Sequence, residues 1–130
     1  MPNVVGKTKN KNTLINNFAD AILTGTSVKL FKNSTRYIIG VDDVVNYFHL
    51  TKNTSNCIIN LNFNINYTIT EIWKEIELVL DQKGKAIVID QGSEYKIDNS
   101  LFISKLEDIE IPELNEICYI RKTLQKYLSK

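Results

Sequence analysis

TRYIIGVDDVVNYF, residues Thr35 to Phe48, places a strand and a helix back to back. Arg36 to Val41 is an apolar strand carrying Tyr37, Ile38 and Ile39, rich in the β-branched and aromatic residues that suit a pleated surface. Asp42 or Asp43 then serves as the N-cap of a helix carrying Val44, Val45, Tyr47, Phe48 and Leu50. Two acids at that end are favoured by the positive pole of the helix dipole.

Working upstream, Lys32 to Thr35 is a turn and Ser27 to Phe31 alternates as a short strand, so this region reads as strand, turn, strand. Before it, Thr13 caps a helix from Leu14 to Leu23, whose apolar positions recur at helical spacing and whose end is marked by Gly25. The residues before Thr13 form an irregular opening rich in Lys and Asn.

Downstream, Ser55 to Phe63 with Cys57, Ile58, Ile59 and Leu61 is a third strand. Thr68 opens the clearest helix: Glu71 three places on completes a capping box, and Ile69, Ile72, Trp73, Ile76, Val79 and Leu80 share one face up to a stop at Gly84. Ala86 to Ile89 is a fourth strand. Asp98, Asn99 and Ser100 cap a short helix from Leu101 to Leu106, and after Pro112 a closing helix runs from Leu114 to Leu128 with Ile117, Ile120, Leu124 and Leu128 inward. The class is α+β, a small mixed domain of four short strands and four to five helices, with residues 1–130 forming one unit.

The chain has 130 residues, 43% hydrophobic and 24% charged, enough to bury a core without disulfide or metal staples. Its sixteen basic and fifteen acidic residues leave a charge of +1, so no strong field draws it to nucleic acid or a membrane surface. Only Arg36 and Arg121 carry the planar fork that grips phosphate or carboxylate at two points. Cys57 and Cys118 match no metal spacing and read as buried, reduced thiols. With no leader and no apolar run near the roughly 20 residues needed to span a bilayer, the expectation is a cytoplasmic protein.

Several chemistries find no support. The glycines Gly6, Gly25, Gly40, Gly84 and Gly92 are scattered and never build the strand-to-helix turn that a nicotinamide cofactor or a P-loop requires. His49, the single histidine, lies between Phe48 and Leu50 and reads as a packed or half-exposed structural residue. Asp42 and Asp43 diverge in direction as neighbours must, which favours capping over a catalytic or metal-binding dyad. Trp73, Tyr47, Phe48 and Tyr127 fall at helical core spacing, which favours packing over base stacking. No catalytic set and no metal site emerge.

The order of these segments resembles the C-terminal stretch of the extended short-chain dehydrogenase/reductase family, the nucleotide-sugar epimerases and dehydratases. MPNVVGK is similar to that family's segment after its catalytic tyrosine strand and helix, and KNTLINNFADAILTG to its helix after the substrate loop. SVKLF with TRYIIGVDDVVNYF resembles its arginine-bearing strand and acid-headed helix. CIINLNFNINYTITEIWKEI and YKIDNSLFISKL resemble its two later segments. The family's Gly-rich cofactor turn and Tyr-x-x-x-Lys pair have no counterpart here.

The resemblance implies a substrate-binding portion, inactive alone, of an NAD- or NADP-dependent enzyme of polysaccharide biosynthesis, with no cofactor site in this chain. Asn3 matches an asparagine that contacts the sugar-nucleotide phosphates and Arg36 the arginine that clamps the diphosphate. Leu14 falls near the family's base-facing loop, Phe31 near its base-stacking position, and Asn60 at the asparagine ending a strand. Tyr37 stands where the family has an acid, and Asn62 and Asn64 where it has glycines. Other readings stay open: an ion pair of Arg36 with Asp42 or Asp43, a turn-shaping role for Asn3, and an interaction module that pairs with a Rossmann-domain chain or with itself. The implied partner is a nucleotide-diphosphate sugar.

Overall fold

The computed structural model describes residues 2–51, 56–63, 65–106 and 118–129, and no side chain at 50 or 51. Within these residues the order is β1 (Asn3–Val5), α1 (Leu14–Thr24), β2 (Ser27–Phe31), β3 (Thr35–Gly40), α2 (Val41–Thr51), β4 (Asn66–Thr68), α3 (Ile69–Leu80), β5 (Lys85–Ile89), α4 (Ser100–Leu106) and α5 (Cys118–Leu128). The predicted positions Pro112, Leu114 and Ile117 lie outside the described residues, as does the predicted start of the third strand at Ser55.

The strands make two sheets. In one, β3 is central, parallel to β1 and antiparallel to β4; in the other, β2 and β5 run parallel. Strands β2 and β3 are therefore consecutive without being paired. The turn between them hands the chain from one sheet to the other: Lys32 N–H donates to Ile89 O and Asn33 N–H to Gln91 O, prolonging the β2–β5 ladder before β3 begins.

Side chains on successive strand residues point to opposite faces, and β3 separates two cores accordingly. Ile38, with Val5 on β1 and Tyr67 on β4, faces a larger core holding Phe18, Ile22, Leu30, Ile72, Trp73, Ile76, Ile120 and Leu124. Ile39 faces a smaller aromatic core of Phe63, Phe102 and Tyr119, with Val4 and Tyr47 packed on it. Phe18 meets Trp73 edge-on at 5.3 Å and Phe63 meets Tyr119 edge-on at 5.1 Å, the perpendicular arrangement that ring quadrupoles favour.

Thr13 caps α1, accepting the Asn16 N–H, and Gly25 ends it with φ of 71°. At α3 the capping box forms in full: Thr68 Oγ1 accepts the Glu71 N–H at 3.2 Å, and Glu71 Oε2 accepts the Thr68 N–H at 2.8 Å. The helix stops at Asp81, in the left-handed region with φ of 50°, and not at Gly84. Gly84 answers a different need. A Cβ there would lie 2.4 Å from Trp73 Cζ2 and 2.7 Å from Ile22 Cγ1, so the chain passes the core only without a side chain.

Four other expectations need correction. The predicted strand from Ser55 to Phe63 is irregular over its described part. Ile58 is 89% exposed while Asn62 is fully buried. Side-chain bonds hold the segment in place of a ladder: Asn60 Nδ2 donates to Asp98 O and Asn99 Nδ2 to Asn62 O. Strand pairing falls instead on β4, and β1 adds a strand to the irregular opening. Asp42 and Asp43 lie inside the first turn of α2 and not at its N-cap. Phe48 is 62% exposed and His49 is exposed, because the partly buried Val44 and Tyr47 are what α2 packs on the smaller core, leaving Val41, Val45 and Phe48 on a neighbouring exposed stripe. Both cysteines are exposed.

Charge pairs tie the helices together. Arg121 on α5 donates Nε and Nη2 to the two Glu75 oxygens on α3, at 2.8 and 3.0 Å, a bidentate clamp. Buried Glu77 accepts the Gly84 N–H at 2.9 Å and Lys83 Nζ at 3.1 Å. Burial pushes the Glu77 carboxyl up, but the Gly84 N–H and the Lys83 ammonium outweigh it and leave it below the ordinary value of 4.5.

Two outcomes follow. Gly84→Ala destabilises the fold by about 1–3 kcal/mol through overpacking against Trp73, read by urea denaturation. The Glu77 contribution is complete above pH 4.5 and is lost as pH falls through the lowered native value, so Glu77→Gln flattens the acid limb of the stability–pH curve, read by thermal melts at stepped pH.

Candidate functional site

Strand β1 forms a wall between two clefts. On one side, Asn3 and Leu14 line a space of 360 Å³ with Asn12, Thr13 and Ile15. On the other, Asn60 lines a mainly apolar space of 240 Å³ with Val44, Ile59 and Leu61; Pro2 and Val4 border both. The fold thus brings Asn3 and Leu14 together and sets Asn60 across the strand from them.

Arg36 lies at the same end of the sheet. β1 and β3 are parallel, and Asn3 is in register with Ile38. Arg36 comes two residues before Ile38 and points to the same face as Ile38 and Asn3, about 7 Å back toward the start of β3. The half-buried Arg36 forms no ion pair with Asp42 or Asp43, which overturns that alternative. Its Nη1 donates to Thr35 O at 2.7 Å, and its Cζ sits 6.0 Å from the centre of the Tyr95 ring.

Phe31 ends β2 and is 42% exposed. It lines neither cleft. What links it to Arg36 and Asn60 is the segment from Asp90 to Asn99, which has no helix or strand and crosses all three positions as a strap. Gly92 passes so close to Phe31 and Ser34 that a Cβ would lie 3.2 Å from Phe31 Cβ and 2.9 Å from Ser34 N, and its φ of 107° suits glycine. Further on, Tyr95 covers Arg36, and Asp98 O accepts the Asn60 side chain at 2.9 Å. Sequence reasoning missed this strap; Gly92 was its one visible sign. Lys96, on the strap, pairs with Glu94 at 3.4 Å.

The acid pair is committed to the last helix. Asp43 Oδ2 accepts the Tyr119 hydroxyl at 2.5 Å, and that hydroxyl accepts the buried Gly40 N–H at 2.9 Å. Burial, reinforced by Asp43, pushes the Tyr119 phenol well above its ordinary range. Asp42 accepts Lys126 Nζ, which holds the Asp42 carboxyl below its ordinary value. Among the described residues, no group of three or more His, Cys, Asp or Glu side chains could hold a metal ion, and no helix is long and apolar enough to cross a membrane.

The tight strand-to-helix turns do not fit the pyrophosphate of a dinucleotide. At the β3–α2 turn, Asp42 and Asp43 place two acids in the first helical turn, where an anion would meet repulsion. At the β4–α3 turn, the Thr68 and Glu71 N–H groups are already used within the capping box.

No family model and no curated protein matches the sequence. Solved structures match its fold. A UDP-glucose 4-epimerase of Thermus thermophilus, solved with NAD, superposes with a TM-score of 0.72 at 16% identity, over 98% of this chain and 45% of its own. A UDP-N-acetylglucosamine 4-epimerase of Methanobrevibacter ruminantium, solved with UDP-N-acetylmuramic acid, gives 0.72 at 22% identity, over 98% and 44%. A dTDP-glucose 4,6-dehydratase of Bacillus anthracis, solved with NAD, gives 0.66 at 16% identity, over 95% and 42%. The fold is that of one portion of the NAD-dependent nucleotide-sugar epimerases and dehydratases, and the chain spans less than half the length of each of these three.

Tyr119→Phe removes the partner of both Asp43 and the Gly40 N–H. It lowers stability by about 1–3 kcal/mol, read by urea denaturation, without displacing Arg36 or Tyr95.

Proposed function

We propose that this chain is the sugar-nucleotide-binding portion of an NAD- or NADP-dependent nucleotide-sugar epimerase or dehydratase, with no turnover by itself. The observation that carries the reading is Arg36: a half-buried guanidinium without an ion-pair partner among the described residues, at the sheet end where Asn3 also lies. A guanidinium so placed offers in-plane donors for two phosphate oxygens.

In this reading residues 1–130 form one substrate-binding unit. Arg36 and Asn3 hold the diphosphate, exposed Phe31 stacks on the base, and Leu14 and Asn60 border the ligand. The cofactor and the catalytic groups belong to the rest of the fold that the epimerases and dehydratases share. Binding by this chain is weak because it supplies one wall of the cleft.

A second reading, an interaction module, is favoured by the exposed stripe Val41, Val45 and Phe48 on α2, with Ile58 also exposed. Titration with UDP, dTDP, GDP and CDP sugars, followed by NMR shifts, separates the two. The first reading requires shifts at Asn3, Phe31 and Arg36 that vanish in Arg36→Ala. No response at millimolar ligand, together with sedimentation as a dimer that Phe48→Ser dissociates, sinks it and favours the module.

A further inference from the structure

Two groups, neither of them a carboxylate, hold the Arg36 guanidinium. The Thr35 carbonyl takes one of its five N–H donors, and the Tyr95 ring lies over it. Tyr95 is anchored through its backbone alone. Its N–H donates to Thr35 Oγ1 at 3.0 Å, and its carbonyl accepts Asn66 Nδ2 at 3.0 Å. Both anchors flank Arg36: Thr35 precedes it on β3, and Asn66 adjoins Tyr67, which is in register with Arg36 on β4. The strap is thereby pinned at the one residue whose ring meets the guanidinium, and the pinning does not depend on what side chain stands there. Tyr95 remains 45% exposed, so its ring serves no core.

We propose that Tyr95 is a positioning residue for Arg36: its ring fixes the guanidinium plane so that the unused donors face an incoming phosphate or diphosphate group. The inference rests on the reading of Arg36 as a diphosphate-binding group and adds how that side chain is held ready. A free arginine is disordered over many rotamers, and ordering it on ligand binding weakens affinity. A guanidinium held by the Thr35 carbonyl and in cation–π contact with Tyr95 at 6.0 Å is already ordered in the absence of ligand. Only Nη1 is hydrogen-bonded, to Thr35 O, so the other N–H donors remain for a ligand.

The test uses the full chain with Tyr95→Leu, Tyr95→Phe and Arg36→Ala, and two probes, UDP-glucose and inorganic pyrophosphate. In the free protein, the Arg36 guanidinium N–H resonances carry the ring-current shift of Tyr95. They lose it in Tyr95→Leu and keep it in Tyr95→Phe. In titrations, Tyr95→Leu weakens both probes by about two- to fivefold, Tyr95→Phe binds as the unaltered chain does, and Arg36→Ala removes binding. Equal affinity in Tyr95→Leu and the unaltered chain, with Arg36→Ala still abolishing binding, overturns the positioning role and leaves the diphosphate reading intact. Guanidinium resonances that ignore Tyr95→Leu overturn it as well. If the unaltered chain binds neither probe, the diphosphate reading itself fails and the Arg36–Tyr95 contact is a structural one only.

Discussion

The fold depends on the burial of β3 on both faces. Tyr37, Ile38, Ile39 and Gly40 are all buried, with β1 on one edge, β4 on the other and a separate core against each face. A strand in that position fixes the placement of everything attached to it. α2 leaves directly from its end, and α5 is tied to that junction through Tyr119 and Lys126. The ladder with β1 starts only at Ile38, while that with β4 covers Thr35 to Tyr37. Arg36 therefore has strand cover on one edge and lies beyond the start of β1 on the other, which leaves it half-buried where Tyr37 to Gly40 are closed in.

Much of this was legible in the sequence where local chemistry and fold agree. α1 and α3 announce themselves through Thr13, Gly25 and the Thr68–Glu71 box, because caps and helical spacing are short-range signals. The three-residue strands β1 and β4 are too short to show any period. The segment after Asn56 misled for the opposite reason: its apolar run suits a strand, but bonds from Asn60 and Asn99 hold it, and those partners are distant in sequence. Phe48 shows a further limit, since a helix with apolar residues on two stripes does not say which one is buried.

The candidate site was legible in its parts and not in its assembly. Asn3 and Leu14 share a cleft; Phe31, Arg36 and Asn60 are each met by the strap, whose polar, turn-like residues carry no periodic signal. The acid pair shows how one feature can satisfy two demands. Asp42 and Asp43 do sit in the positive first turn of a helix, as dipole reasoning requires, yet their side chains are also spent on α5. Nothing local to Asp43 reveals a tyrosine 76 residues away.

The pairing of β2 with β5 has a consequence for how the chain reaches this state. Parallel strands cannot be joined by a tight turn, and here β3, α2, β4 and α3 all intervene between the two. Closing so long a loop costs entropy before any contact between its ends forms. α1 and α3 have complete caps and so the strongest local signals, whereas the β2–β5 ladder from Ser27 and Lys85 depends on contacts distant in sequence. Folding of this chain is accordingly set by topology more than by helix propensity, and slower than that of a helical bundle of equal length.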